Sequence, residues 1–162
     1  MCTARVSRAL TGSDLLALSQ CSSVSGDLDI NGAFPSLASL DQITTVGGAL
    51  ALRNVTATSL VNISSLTSLG AAFDVESTPN LTSLTGVSFA SLTTLTIVGN
   101  SSLPSLDGLQ SIQTVSFINV SNNGALTTVA GLGPLSGSVL QVIIADNQNL
   151  TSLGSMGTLD GV

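Results

Sequence analysis

The residues in this chain best suited to chemistry are asparagines. Six N-x-S/T tripeptides occur, at Asn54, Asn62, Asn80, Asn100, Asn119 and Asn149. Each is an acceptor for an N-linked glycan in a chain that passes through a secretory pathway. Asn119 is expected to point outward from a strand, Asn80 and Asn149 to share a corner, and Asn100 to be the worst acceptor because its amide is needed inside. Carboxylates come second. Asp29 and Asp74 fall in one outward column two repeat units apart, about 9 to 10 Å at ordinary strand spacing, near the upper end for an inverting glycosidase pair. The chain contains no His, Lys, Trp or Tyr, so no usual general base or activated nucleophile accompanies them. A sugar-stacking platform is missing too. We read them as solvated surface acids and assign no catalytic residue.

The remaining motifs are poorer still. The Gly-rich run GLGPLSG at 131–137 lacks the Lys of a phosphate loop and reads as a corner turn. Only Asp27 and Asp29 are close enough in sequence to suggest a calcium loop, and the D-x-D-x-D pattern is not there. No metal or cofactor site is assigned. Cys2 and Cys21 are the sole cysteines. They form either one bridge or two buried thiols; the sequons favour an oxidising compartment and so the bridge. It would contribute about 3 kcal/mol on the chain-entropy estimate.

The elements that position these residues are repeats. From Gly26 onward an apolar pattern returns every 22 to 24 residues, from GDLDINGAFPSLASL through to VIIADNQNLTSLGSM. Each unit opens with a period-2 pair: Leu28/Ile30, Leu50/Leu52, Phe73/Val75, Leu95/Ile97, Ile118/Val120 and Val142/Ile144. Alternation turns these inward and Asp29, Ala51, Asp74, Thr96, Asn119 and Ile143 outward. Apolar residues then recur about every three positions, as at Leu103, Leu106 and Leu109, which is a chain turning corners around a shared core. The expected fold is all-β: a parallel β-helix, or leucine-rich-repeat-like β-solenoid, of about six coils over 26–162. A cap over 1–25 would precede it, with a short helix in TGSDLLALSQC. Thr11 or Ser13 would start that helix and Leu15, Leu16 and Leu18 would form its apolar side. Stacked at about 4.8 Å, the coils make a rod about 25 to 30 Å long.

Asn100, Asn123 and Asn147 occupy one column of this repeat, where a ladder of amides satisfies the turn backbone of adjacent coils. Val55 and Thr78 hold the column earlier, so the ladder is partial. Arg53 and Glu76 share a neighbouring column as a surface ion pair worth about 0 to 1 kcal/mol.

Composition excludes some partners. A net charge of −6 with Arg5, Arg8 and Arg53 as the only basic residues repels a phosphate backbone, so nucleic acid is excluded. No apolar run approaches the roughly 20 residues of a membrane span. The N-terminal MCTARVSRALTGSDLL lacks a signal-peptide core, which is expected of a mature chain or of a piece of a longer one.

The run DLLALSQCSSVSGDLDINGAF followed by LASLDQITTVGGALALRNV resembles the receptor L-domain and its fungal cell-wall surface relatives. That resemblance implies a leucine-rich-repeat-like β-helix with an N-terminal disulfide-linked helix, and an extracellular, non-catalytic glycoprotein. The near absence of aromatics and of a C-terminal cysteine module departs from the family and argues against a receptor-type ligand site.

Three functions are therefore expected, in this order. The first is a secreted or cell-surface structural or adhesive glycoprotein, carrying covalent glycans and associating with itself end to end through an uncapped last coil into filaments. The second is an ice-binding protein using the dipeptides Thr82-Ser83, Pro104-Ser105, Thr127-Thr128 and Thr151-Ser152. The third is a receptor-like recognition domain.

Overall fold

A computed structural model of the chain describes residues 2–4, 10, 12–133, 135–154 and 158–160, the side chains being described for 10, 13–133 and 135–154. Successive coils leave one short strand each on a shared face, and parallel pairing of coil to coil builds a β-solenoid of about five turns. Strands are numbered in chain order. The main sheet holds β3 (Leu28–Asn31), β5 (Leu50–Arg53), β7 (Ala72–Glu76), β8 (Thr94–Val98), β9 (Phe117–Ser121) and β11 (Gln141–Ala145), stacked in that order. A second sheet holds β1 (Cys2–Ala4), β2 (Cys21–Val24), β4 (Thr45–Val46) and β6 (Ser68–Leu69). A third pairs β10 (Ser136–Ser138) with β12 (Thr158–Asp160).

The period-2 pairs set the register. Leu28 lies beside Leu50, then Phe73, Leu95, Ile118 and Val142, and Ile30 heads the parallel column of Leu52, Val75, Ile97, Val120 and Ile144. In the first five coils both columns are fully buried, at 0 to 2 % exposure. A one-residue slip would turn the whole apolar set outward, which is why the register holds along the sheet. The apolar residues at the other corners close the same core, with Phe73 and Phe89 in edge-to-face contact at 5.2 Å. Among the described residues no buried side-chain nitrogen or oxygen lacks a hydrogen-bond partner.

After each strand of the main sheet from β5 onward the chain turns through one residue in the left-handed region: Asn54 (φ 56°), Ser77 (52°), Gly99 (72°), Asn122 (58°) and Asp146 (55°). Gly, Asn and Asp tolerate that conformation, and Ser77 is the costly member of the column. Further round, Leu60, Leu84, Leu106 and Val129 re-enter the core. Short 3₁₀ turns follow at Ala38–Leu40, Val61–Ile63 and Ala130–Leu132. There the coils approach closely: a Cβ on Gly131 would sit 2.0 Å from the Leu106 carbonyl oxygen. Gly131 thus sits at a corner whose packing leaves no room for a side chain.

At the N-terminal end an α-helix, Gly12–Ala17, runs into a 3₁₀ turn, Leu18–Gln20. Leu15 and Leu18 are buried, three positions apart on one face, whereas Leu16 is 67 % exposed. This corrects the expected apolar side: in so short a helix the residue next to a buried one points about a quarter-turn away. Ser13 lies inside the helix, and Thr11 falls outside the described residues. Leu10 is buried, and its N–H donates to the Asp29 carbonyl at 3.2 Å, at the outer edge of β3. No described helix is long and apolar enough to cross a membrane.

Candidate functional site

The polar residues form columns along the rod, and their bonds run from coil to coil. Innermost is the asparagine column. Asn100 and Asn123 are 0 % exposed. Asn123 Nδ2 donates to the Ile97 carbonyl of the preceding coil at 2.9 Å and to Ser121 O at 3.1 Å. Its Oδ1 accepts from Asn100 N at 3.0 Å and from Asn100 Nδ2 at 3.2 Å. Asn100 Nδ2 also reaches Val75 O at 3.0 Å. Asn147, half-buried, repeats the pattern with Val120 O and with Asn123. One more rung belongs to the ladder: Thr78, 2 % exposed, donates its backbone N–H to Asn100 Oδ1 at 3.0 Å, and its hydroxyl to the same oxygen. A left-handed corner leaves the next residue's N–H aimed along the core, and only a side chain with an acceptor beside a donor can meet both coils there.

On the outer face of the main sheet, Asp29, Ala51, Asp74, Thr96, Asn119 and Ile143 stand in one register column. The candidate acid pair is therefore two strands apart with Ala51 between, and a guanidinium serves both. Arg53 Nη1 lies 3.0 Å from Asp29, Nη2 3.7 Å from Asp74 and Nε 3.6 Å from Glu76. The expected Arg53–Glu76 pair is thus part of a three-carboxylate cluster. Such an arrangement holds Asp29, Asp74 and Glu76 as counter-ions to one cation. Asp27 also faces a neighbouring coil, accepting from Ala49 N at 2.8 Å. Among the described residues no group of three or more His, Cys, Asp and Glu side chains could hold a metal ion.

The sequons scatter around the circumference. Asn54 holds a left-handed corner and donates to Asn31 Oδ1 at 2.9 Å. Asn62 sits in a 3₁₀ turn and donates to Asp41 Oδ1 at 2.9 Å. Asn80 and Asn149 are exposed on matching turns and donate to Thr56 O and Gly124 O. Asn119 is half-buried at the middle of β9, accepting from the Ser121 hydroxyl at 3.0 Å. Asn100 is in the ladder.

A file of hydroxyls follows the Asn80 corner. Thr58, Thr82, Pro104, Thr127 and Thr151 are exposed in equivalent positions. Ser59 bridges to Ser83, Ser105 to Thr128, and Thr128 to Ser152. The Thr82 hydroxyl donates to Thr58 O at 3.1 Å, and Thr127 to Pro104 O at 3.0 Å. Phe73 and Phe89 are buried and Phe34 is half-buried, while Phe117 is 39 % exposed on the sheet face. A small void between the first coils is lined by Leu28, Leu40, Ile43, Val46, Leu50, Ile63 and Leu66, with no polar group to orient a ligand. In the backbone, Cys2 lies opposite Cys21 where β1 pairs with β2; the Cys2 side chain falls outside the described residues.

Compared with family models, with curated proteins and with solved structures, the chain gives no match.

Proposed function

We propose that this chain is a non-catalytic structural or adhesive glycoprotein of the cell surface or extracellular space, a stiff rod whose copies associate end to end. The observation that carries the reading is the destination of its polar side chains. Asparagine, aspartate, arginine, threonine and serine groups from all sides of the rod bond to the adjacent coil, 21 to 27 residues away in sequence. Groups engaged in cohesion between coils are what a stiff structural element needs; a catalytic site needs groups converging on a cleft. End-to-end association belongs to the reading because one coil's face complements the next through backbone bonds and small side chains. The likeness of the run from Asp14 to Phe34 to the receptor L-domain and its fungal cell-wall relatives supports the surface location. A Cys2–Cys21 disulfide fits it as well, supported by the opposed backbone positions in β1 and β2.

Electron microscopy of undenatured material, with intact mass on the same sample, tests the reading. Filaments with an axial repeat near one rod length, about 29 Å for six strand spacings including the junction between copies, are expected. Particles that stay single at high concentration remove end-to-end association. A hydrolytic or transfer activity abolished by Asp29→Asn or Asp74→Asn would overturn the non-catalytic assignment. Alkylation before reduction should leave both cysteines unlabelled.

A second reading, ice binding, draws on the hydroxyl file. Thr82 and Thr127 are each fixed by a bond to the coil before, so the array is rigid. Pro104 interrupts it. Thermal hysteresis of the unglycosylated chain tests this reading, and its absence ends it.

A further inference from the structure

The six sequons are equivalent in sequence and unequal in the fold. Resting on the reading of this chain as a secreted glycoprotein, we infer that Asn80 and Asn149 are the two residues that carry glycans, so that the sugars stand on one corner of the rod and leave the sheet face bare.

Two conditions select them. The oligosaccharide is placed on a chain that has still to fold, so the folded state must keep both the modified amide and its surroundings in solvent. In Asn80-Leu81-Thr82 and Asn149-Leu150-Thr151 the asparagine and the hydroxyl residue are both exposed, and this holds at no other sequon. Thr56, which serves Asn54, is half-buried, Asn62 is half-buried itself, and Asn119 relies on Ser121, which is only 8 % exposed. The two selected sites share one local frame. Leu81 N donates to Thr78 O and Leu150 N to Asn147 O, closing equivalent turns that hold each asparagine off the corner.

The second condition is a hydrogen count. In the transfer, Nδ2 forms a bond to the anomeric carbon of an oligosaccharide carried on a lipid pyrophosphate. The bond from that carbon to the pyrophosphate oxygen breaks, the pyrophosphate leaves with the electron pair, and Nδ2 gives up one of its two protons. One N–H remains. Asn80 needs one, for Thr56 O at 3.4 Å, and Asn149 needs one, for Gly124 O at 2.7 Å. Asn100 uses both, on Val75 O and Asn123 Oδ1, in a site with 0 % exposure. A glycan there is incompatible with the ladder. The two glycosylated turns lie three coils apart, about 14 Å, beside Thr82 and Thr151. Sugars at these positions overhang the hydroxyl file at Thr82 and Thr151, while β3, β5, β7, β8, β9 and β11 stay accessible.

The test is site mapping on the full chain secreted from eukaryotic cells. Glycans are released enzymatically in heavy-oxygen water, so that each formerly occupied asparagine becomes a labelled aspartate. Pepsin is the protease to use, since the last Lys or Arg in the sequence is Arg53. Label at Asn80 and Asn149 is expected, with the double variant Asn80→Gln/Asn149→Gln migrating as the enzymatically deglycosylated chain and Asn100→Gln losing no glycan mass. Principal label at Asn54, Asn62 or Asn119, or any at Asn100 in folded material, overturns the assignment. The same mapping on chain purified from the cells that naturally make it separates the two failures. Label confined to other sequons sinks this assignment and leaves the glycoprotein reading standing. A complete absence of label there, with Asn80 and Asn149 labelled in the secreted chain, sinks the glycoprotein reading instead.

Discussion

The first two coils and the last four are joined by different means. Between β3 and β5 the column after the corner holds Ala33 and Val55, and polar cohesion lies outside the core. It includes Arg53 on Asp29, with Asp74 and Glu76 of the third coil on its other side, Asn54 on Asn31, Asn62 on Asp41, and Asp27 on the Ala49 N–H. From the third coil onward that column is Thr78, Asn100, Asn123 and Asn147, bonded to one another and to strand carbonyls inside the core. Both halves keep the same coil shape and the same apolar columns. The position of the polar groups relative to solvent, more than their number, should therefore set what each is worth. A buried amide that loses its partner strands several groups, whereas an exposed ion pair is replaced by water.

The sharpest way to break the comparison is Asn123→Leu. Removing this amide leaves Ile97 O without its side-chain donor, and Asn100 N and one Nδ2 hydrogen without their acceptor, while Ser121 O keeps the Gly99 N–H. At about 1–3 kcal/mol for each stranded group, and with non-additivity among neighbours, the expected loss is about 3–5 kcal/mol. It should be read as a fall in the urea midpoint, with the third to sixth coils opening first in hydrogen exchange. Asn147→Leu, at a half-buried rung, should cost less than half of that. Equal losses at Asn123 and Arg53 would show that the two halves are not held differently.

Next in size is Gly131→Ala. Its methyl would meet the Leu106 carbonyl at 2.0 Å, so two coils must part, at about 2–3 kcal/mol. Gly124→Ala is the control: nothing lies within 4 Å of its added carbon, and its effect should stay within about 0.5 kcal/mol. Thermal or urea unfolding of the pair checks both at once.

How much of this was legible follows from what periodicity encodes. The paired columns Leu28/Ile30 through Val142/Ile144 could be read directly, because alternation forces one face inward and a repeat of 22 to 24 residues superposes the coils. The ladder column was visible as recurring asparagine. Its Thr78 rung was not, since a threonine amid so many hydroxyls carries no signal until its neighbour is known to be Asn100. The left-handed corner had a trace in the column of Gly32, Asn54, Ser77, Gly99, Asn122 and Asp146, where all but Ser77 are residue types that tolerate positive φ. Arg53 binding three acids was out of reach, because sequence spacing pairs columns but does not say which way a long side chain leans. Leu16 was misplaced for a related reason: a helix of six residues is too short for an apolar period to be averaged.

Arg53→Gln sharpens the comparison from the other side. The side chain is 32 % exposed and its partners Asp29 and Glu76 are 36 % exposed, so water and salt already screen the cluster. The expected loss is about 1 kcal/mol or less at low ionic strength. It comes from like-charge repulsion among the remaining acids, and it should fade as NaCl approaches about 1 M, where the screening length is about 3 Å. A loss that persists in high salt would mean the cluster works by packing of the arginine stem.

The smallest effect is expected at the boundary between the two modes. Ser77 turns the third coil's corner after β7 with φ 52°, just ahead of Thr78, the first rung of the ladder. An L-residue with a Cβ pays about 1–2 kcal/mol there, and glycine, which the next coil uses at Gly99, does not. Glycine gives back part of that gain through the freedom it adds to the unfolded chain, about 0.5–1 kcal/mol. Ser77→Gly should therefore stabilise by a net of about 0.5 kcal/mol, seen as a small rise in the urea midpoint with an unchanged slope. Ser77→Val should move it the other way by more, since a β-branched side chain fits the left-handed region worst. If both substitutions destabilise equally, the Ser77 hydroxyl itself, and not the backbone conformation, is what joins the outer mode of cohesion to the inner one.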